Sequence, residues 1–232
     1  MAAPAVNGSL FKGGISTSGT SVTVSTTVNS SLSNSVLIAI VGTNANAATT
    51  DVTGITYNSV ALTKRIFHNN STTPLCSFWV WTLDNPSAGT FNTVLSAGVS
   101  RLYDMYVFTI TGAKQGGAID QDVVSSVASA STSASNSITT SVNDTLIFDF
   151  FYTNGNPSNP VPGGSQTLWI NDSPSASTDG AFGSYLAKAT AGSQSISMSW
   201  TTGEGGIYGT FNFQSAPAAA ALPYRALQGV GI

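Results

Sequence analysis

Val24-Ser25-Thr26-Thr27-Val28-Asn29 in the first half of the chain returns as Ile138-Thr139-Thr140-Ser141-Val142-Asn143 in the second. Each copy leads within a few residues into an apolar run, Val36 to Val41 and Leu146 to Phe151. An aromatic segment follows, Phe78-Trp79-Val80-Trp81 against Phe182-Gly183-Ser184-Tyr185. A closing segment ends each half, Phe108-Thr109-Ile110-Thr111-Gly112-Ala113 against Phe211-Asn212-Phe213-Gln214-Ser215-Ala216. The offset falls from 114 residues at the first match to 103 at the last. A drifting offset reads as a diverged duplication of a four-strand unit inside one fold, since a solenoid would keep a fixed period.

Working outward from the repeat, strands are expected at Ser21 to Val28, Val36 to Val41, Cys76 to Leu83, Thr90 to Leu95 and Tyr103 to Thr111. Ile55 to Phe67 reads as a hairpin turning at Asn58-Ser59. The second half adds Thr145 to Thr153, Thr167 to Asn171, Ala181 to Ala189, Ser195 to Thr201 and Ile207 to Phe213. Ser21 to Val28 alternates apolar and polar positions, as a half-buried strand does. Val36 to Val41 is apolar throughout and predicts cover on both faces. Asp84-Asn85-Pro86-Ser87-Ala88-Gly89 carries turn residues and is expected to join two antiparallel strands. Ser125 to Ser137 reads as a polar edge strand or a loose connection, and Asn156 to Gly164 as the longest loop. Ten to twelve short strands with no helical period before residue 216 predict an all-β antiparallel sandwich of jelly-roll type. The boundaries are an N-terminal arm over 1–19, a sandwich over 20–216 with pseudo-repeats at about 20–113 and 136–216, and a C-terminal arm over 217–232.

Hydrophobic residues make up 41% of the chain and charged residues 7%, against roughly 25% charged in an ordinary domain. The surface is therefore built from Ser, Thr, Asn, Gly and Ala. With 7 Lys and Arg scattered along the chain, no basic stripe exists to neutralise phosphates or hold an anionic bilayer, so nucleic acid and membrane are not expected partners. A net charge of −3 gives little protection against self-association, which makes a homo-oligomer the expectation. The first eleven residues hold neither Lys nor Arg nor an apolar core of a signal peptide. A surface of small polar residues without that signal fits a protein made in a host cytoplasm and released by lysis.

Few residues offer chemistry. His68 is the only histidine, beside Asn69-Asn70-Ser71-Thr72, and reads as a loop residue instead of a catalytic base. Ser9-Leu10-Phe11-Lys12 matches Ser-x-x-Lys without its companion motifs and reads as an arm strand. Glu204 lies between glycines in a turn. Asp120 and Asp122 are too few for the six to eight oxygens of calcium, and Cys76 has no second cysteine for zinc or a disulfide. No catalytic residue, metal or cofactor is expected. Period two places Trp79, Trp81 and Leu83 on one strand face and Phe78, Val80 and Thr82 on the other. Trp81, Leu83, Phe108 and Phe211 are assigned to the core. Phe78, Tyr152 and Trp169 are candidates for ligand or interface contact, with Phe78 and Val80 turned to a neighbour.

Ile55-Thr56-Tyr57-Asn58-Ser59-Val60-Ala61-Leu62-Thr63, followed by Trp81-Thr82-Leu83-Asp84-Asn85-Pro86-Ser87-Ala88-Gly89-Thr90, resembles the β-sandwich modules of phage structural proteins, including capsid decoration proteins and fibres, and of some large bacterial surface proteins. The resemblance covers about residues 20–215. It implies a non-enzymatic virion protein, a decoration or cement protein on the capsid surface, whose partners are the major capsid protein and neighbouring copies of itself. The arms would act as clasps through Leu10, Phe11, Leu222, Tyr224, Arg225 and Leu227. The alternative expectation is a carbohydrate- or receptor-binding module using Trp169, Tyr152 and the Asn156 to Gly164 loop. A hydrolase built on Glu204 or an Asp pair ranks third.

Overall fold

Strands that are apolar at every position need cover on both faces, and four layers of sheet supply it. The computed structural model describes residues 3–14, 18–30, 33–71, 74–117, 119–172 and 179–217. In chain order the strands are β1 (Ala5–Gly14), β2 (Gly19–Val28), β3 (Val36–Thr43), β4 (Val52–Tyr57), β5 (Val60–Ala61), β6 (Thr63–Asn69), β7 (Ser77–Asp84), β8 (Gly89–Arg101) and β9 (Asp104–Thr111). There follow β10 (Ile119–Val127), β11 (Ser133–Thr140), β12 (Thr145–Thr153), β13 (Val161–Pro162), β14 (Thr167–Asp172), β15 (Gly180–Lys188), β16 (Gly192–Ser199) and β17 (Gly206–Phe213). No helix occurs among the described residues.

The strands form two five-stranded central sheets, β1-β9-β3-β7-β6 and β10-β17-β12-β15-β14, and two outer sheets, β2-β8-β4-β5 and β11-β16-β13. All ladders are antiparallel. The central sheets pack on each other through Ile38, Phe78, Val80 and Phe108 from one side and Phe148, Phe150, Tyr152 and Phe211 from the other. The outer four-stranded sheet covers the first central sheet over Val22, Ile55, Tyr57, Trp79, Trp81 and Leu95. The three-stranded sheet covers the second over Phe151, Phe182, Met198 and Trp200, with a smaller patch of Ile138, Ile147 and Ile196. This explains the two sequence textures. β3, β12 and β17 are buried at every position because they lie in central sheets, whereas β2 and β11 alternate buried with exposed because one face meets water.

The seam between the central sheets is notched on both sides. Gly42 on β3 lies beneath the Tyr152 ring, and Gly209 on β17 beneath the Phe78 ring. A Cβ at either glycine would stand 2.3 Å from a ring carbon. Each sheet thus accepts one aromatic knob from the other, and the absent side chain is the reason for glycine in an otherwise bulky strand.

Several expectations change. Residues 5–14 are not an arm. They form β1, paired with β9 from Ala5 opposite Thr111 to Gly14 opposite Asp104, with Leu10 packed on the central core and Phe11 on the outer one. Those two side chains meet their own chain because period two turns them to opposite faces of a paired strand. Phe78 and Val80 also meet no neighbour: the second central sheet of the same chain covers them. Asn58 and Ser59, at φ of 48° and 64°, make the expected tight turn of a two-residue hairpin. The returning strand then leaves that sheet at Leu62 and continues as β6 in the central one. The Asp84 to Gly89 turn likewise joins strands of different sheets, carrying the chain around the first core.

The aromatic segments do not align as the sequence match has them: Phe78 faces the central core and Phe182 an outer one. Trp79 and Phe182 both point to the outer cores.

Candidate functional site

One group of polar side chains gathers at one end of the central seam, where β9 begins beside the ends of β12 and β14. Tyr106 Oη donates to Asp172 Oδ2 at 2.6 Å, and Tyr152 Oη donates to Asp104 Oδ2 at 2.8 Å and to Asp179 Oδ2 at 3.3 Å. Asn44 Nδ2 donates to Asp179 Oδ1 at 2.8 Å, and the Lys12 ammonium of β1 pairs with Asp172. The Tyr106–Asp172 and Tyr152–Asp104 bonds run in opposite senses across the seam, one from each central sheet. Burial pushes the Asp104 carboxyl up to about 6, against the lowering effects of the Tyr152 hydroxyl and Lys12. Burial also holds both phenols well above their ordinary range, so they remain donors. Chemically this is a staple between halves of the chain: donors and acceptors answer each other, and the Tyr152 ring fills the space above Gly42.

A second buried carboxylate, Asp149 on β12, faces the other way, into the outer core. It accepts from Tyr208 Oη at 2.6 Å, Ser184 Oγ at 2.9 Å and Gln166 Nε2 at 3.1 Å, and from the Ser184 amide. Burial raises it to about 6 despite those four donors. A carboxylate so enclosed organises the core and has no route to a substrate.

Several of the remaining acidic groups are also engaged within the fold. His68 lies on β6, not in a loop. Its Nε2 stands 2.5 Å from Asp122 Oδ2 on β10, joining the edges of the two central sheets. Asp120 turns instead to the Ser141 amide and hydroxyl, at 3.2 and 2.6 Å, so Asp120 and Asp122 do not converge on one ion. Glu204 packs over Gly155. The buried Cys76 thiol is pushed up to about 12, which removes it as a nucleophile at neutral pH. Among the described residues, no group of three or more His, Cys, Asp and Glu is arranged to hold a metal.

The ligand candidates do not assemble into a platform. Tyr152 and Phe78 are wholly buried, and Trp169 is half-buried against Phe108 and Tyr185, at ring-centroid distances of 6.2 and 6.0 Å. No Phe, Tyr or Trp among the described residues is fully exposed; each is buried or half-buried. The Asn156 to Gly164 loop carries β13, which hydrogen-bonds to β16. Trp81, Phe108 and Phe211 are buried, and Leu83 is half-buried against the outer core. Leu222, Tyr224, Arg225 and Leu227 lie outside the described residues. The seam staple had no local sequence signal: Lys12, Asn44, Asp104, Tyr152, Asp172 and Asp179 are scattered over the chain, and only the pairing of central sheets brings them together. Comparisons with family models, with curated proteins and with solved structures find no match to this chain.

Proposed function

We propose that the chain is a non-enzymatic structural protein of a phage virion, a decoration or cement protein that binds the outside of the capsid. The observation that carries this reading is the correspondence of strand orders. β1-β9-β3-β7-β6 and β10-β17-β12-β15-β14 match place for place, as do β2-β8-β4 and β11-β16-β13. We read the two sandwiches as jelly rolls descended from one duplicated unit, stacked through their larger sheets; jelly rolls of this type recur in viral capsid domains. The low charge, the weakly charged outer faces and the resemblance of the 55–63 and 81–90 stretches to phage sandwich modules support the same role. The major capsid protein and further copies of the chain are the partners this reading names. The C-terminal arm is its clasp.

The glycan-binding alternative is less favoured, because stacking on a sugar requires an exposed ring and the described aromatics are buried or half-buried. Deletion of residues 217–232 tests the clasp: the shortened chain is expected to stay folded and to lose co-sedimentation with capsids stripped of it. Unchanged binding would contradict the clasp.

A further inference from the structure

The two outer sheets differ by one strand. In the first, β8 is flanked by β2 on one side and on the other by β4, with Ile55 opposite Leu95 and Tyr57 opposite Thr93. In the second, β16 is flanked by β11 along its whole length, but on the other side β13 reaches only Met198 and Ser199. Where the first sandwich places Ile55 to Tyr57, the second has an open edge beside Ser193 to Ile196.

The direction of the backbone groups follows from their neighbours. Gly163 N donates to Ser197 O at 2.8 Å, and Ser197 N donates to Gln166 Oε1 at 3.1 Å, both on the β13 side. Residues two apart present their backbone the same way, so the Ser195 and Ser193 amides point into the gap. Beside them runs a groove of about 260 Å³ lined by Gly163, Gly164, Ser165, Gln166 and Leu186. Leu186 and Ile196 border the smallest of the cores. Ile196 is already buried, and an added strand would cover the half-buried Leu186, as Ile55 and Tyr57 cover the first sandwich.

Several edges elsewhere are blunted. β1, β6, β10 and β14, which border the central sheets, each carry a register break against their partner, and β2 does too. Bulges are a common device against edge-to-edge pairing. The β11–β16 ladder is regular over all eight pairs, and β16 contains neither Lys nor Pro. Such an edge is a template for strand addition.

The chain itself contains a fitting occupant. Pro217 lies beside Ser141, Val142, Asn143 and Ala191, where β11 ends and β16 begins, so the chain leaves the body at one end of the three-stranded sheet. The fifteen residues beyond it begin with four alanines and Leu222, small enough for a groove walled by Gly163 and Gly164. Extended, they could span roughly 50 Å. A donor leaving one end of the sheet and an acceptor along its edge are different surfaces of the chain, so an arm passed from one copy to the next makes a head-to-tail contact.

We propose that the open edge of β16 is a strand-addition site that receives the 218–232 segment of a second copy of the chain. This deepens the clasp reading by naming where a neighbouring arm docks.

The test uses the full chain, Ser195→Pro and Ser195→Ala, with a synthetic peptide of residues 218–232 and its scrambled counterpart. Proline removes the amide that faces the gap without touching the bonds to β11; alanine keeps that amide. Sedimentation should find the full chain and Ser195→Ala associating with rising concentration, and Ser195→Pro at least tenfold weaker in association. The peptide should disperse the wild-type assembly while the scrambled peptide does not. Equal association of Ser195→Pro and wild type would overturn the edge as the site, and a peptide no better than its scramble would overturn the arm as its occupant. A chain that stays monomeric at all concentrations overturns both. Circular dichroism confirms that Ser195→Pro is folded. No capsid enters the assay, so its outcome is separate from that of the virion reading.

Discussion

Gly209→Ala tests the notched seam directly. An alanine Cβ at 209 would lie 2.3, 2.8 and 3.2 Å from three atoms of the Phe78 ring, whereas carbon atoms rest at about 3.5–4.0 Å. The ring must therefore move by more than about 1 Å. Phe78 is 1% exposed and its ring meets Phe150 edge-on at 5.8 Å, so it has no free space to enter. Overpacking of this kind costs about 1–3 kcal/mol. Removing a glycine from a strand would otherwise help by about 0.5–1 kcal/mol, so the net expectation is a loss of about 1–2 kcal/mol. For a chain of this size that lowers the Tm by about 2–8 °C. Phe78→Leu in the same background shortens the obstructing side chain, and the two changes should couple favourably by about 1 kcal/mol or more in a double-mutant cycle read by urea unfolding. A Gly209→Ala protein as stable as wild type, or a cycle additive to within about 0.5 kcal/mol, would refute the packing of one central sheet on the other.

Three further outcomes are expected. Burial holds the Asp104 and Asp149 carboxyls at about 6, above the ordinary 3.8. The folded chain then keeps protons that the unfolded chain releases between about pH 4 and 6, so stability contributed by these groups is present at the acid side of that window and declines as pH rises through 6. Urea unfolding at pH 5 should therefore exceed that at pH 7.5 by about 2–3 kcal/mol, with Asp104→Asn removing about half the difference; a decline on acidification would contradict the assignment. Cys76 should resist a thiol reagent in the folded chain at pH 8 and react fully in denaturant, and rapid native labelling would show the strand β7 entrance to be open. Trp79, Trp81 and Trp200 are at most 6% exposed, so iodide should quench the fluorescence weakly and a broad glycan panel should leave it unchanged. A saturable glycan response would return the binding-module reading to first place.

The strand textures were legible because period two and continuous apolar runs report burial directly. Val36 to Val41 announced a strand covered on both faces, and Trp81 and Phe78 announced opposite faces of one strand. What covers each face was not legible. The partner of Phe78 is Gly209, 131 residues away, and no local pattern links them. The match of Phe78 to Phe182 fails for the same reason: aromatic identity does not report which face of a strand a side chain takes, and Phe78 lies in the central core and Phe182 in an outer one. β1 has the look of an arm in sequence because its Gly- and Ser-rich residues have little strand propensity of their own, and pairing with β9 overrides that preference. The seam staple escaped because its carboxylates and phenols are scattered one or two per strand.

The reading of the chain as a virion decoration protein is tested most directly by its copy number in purified particles of the source, measured by quantitative mass analysis against the major capsid protein. The account predicts hundreds of copies per particle in a fixed ratio to that protein. A handful of copies, or none, would contradict it.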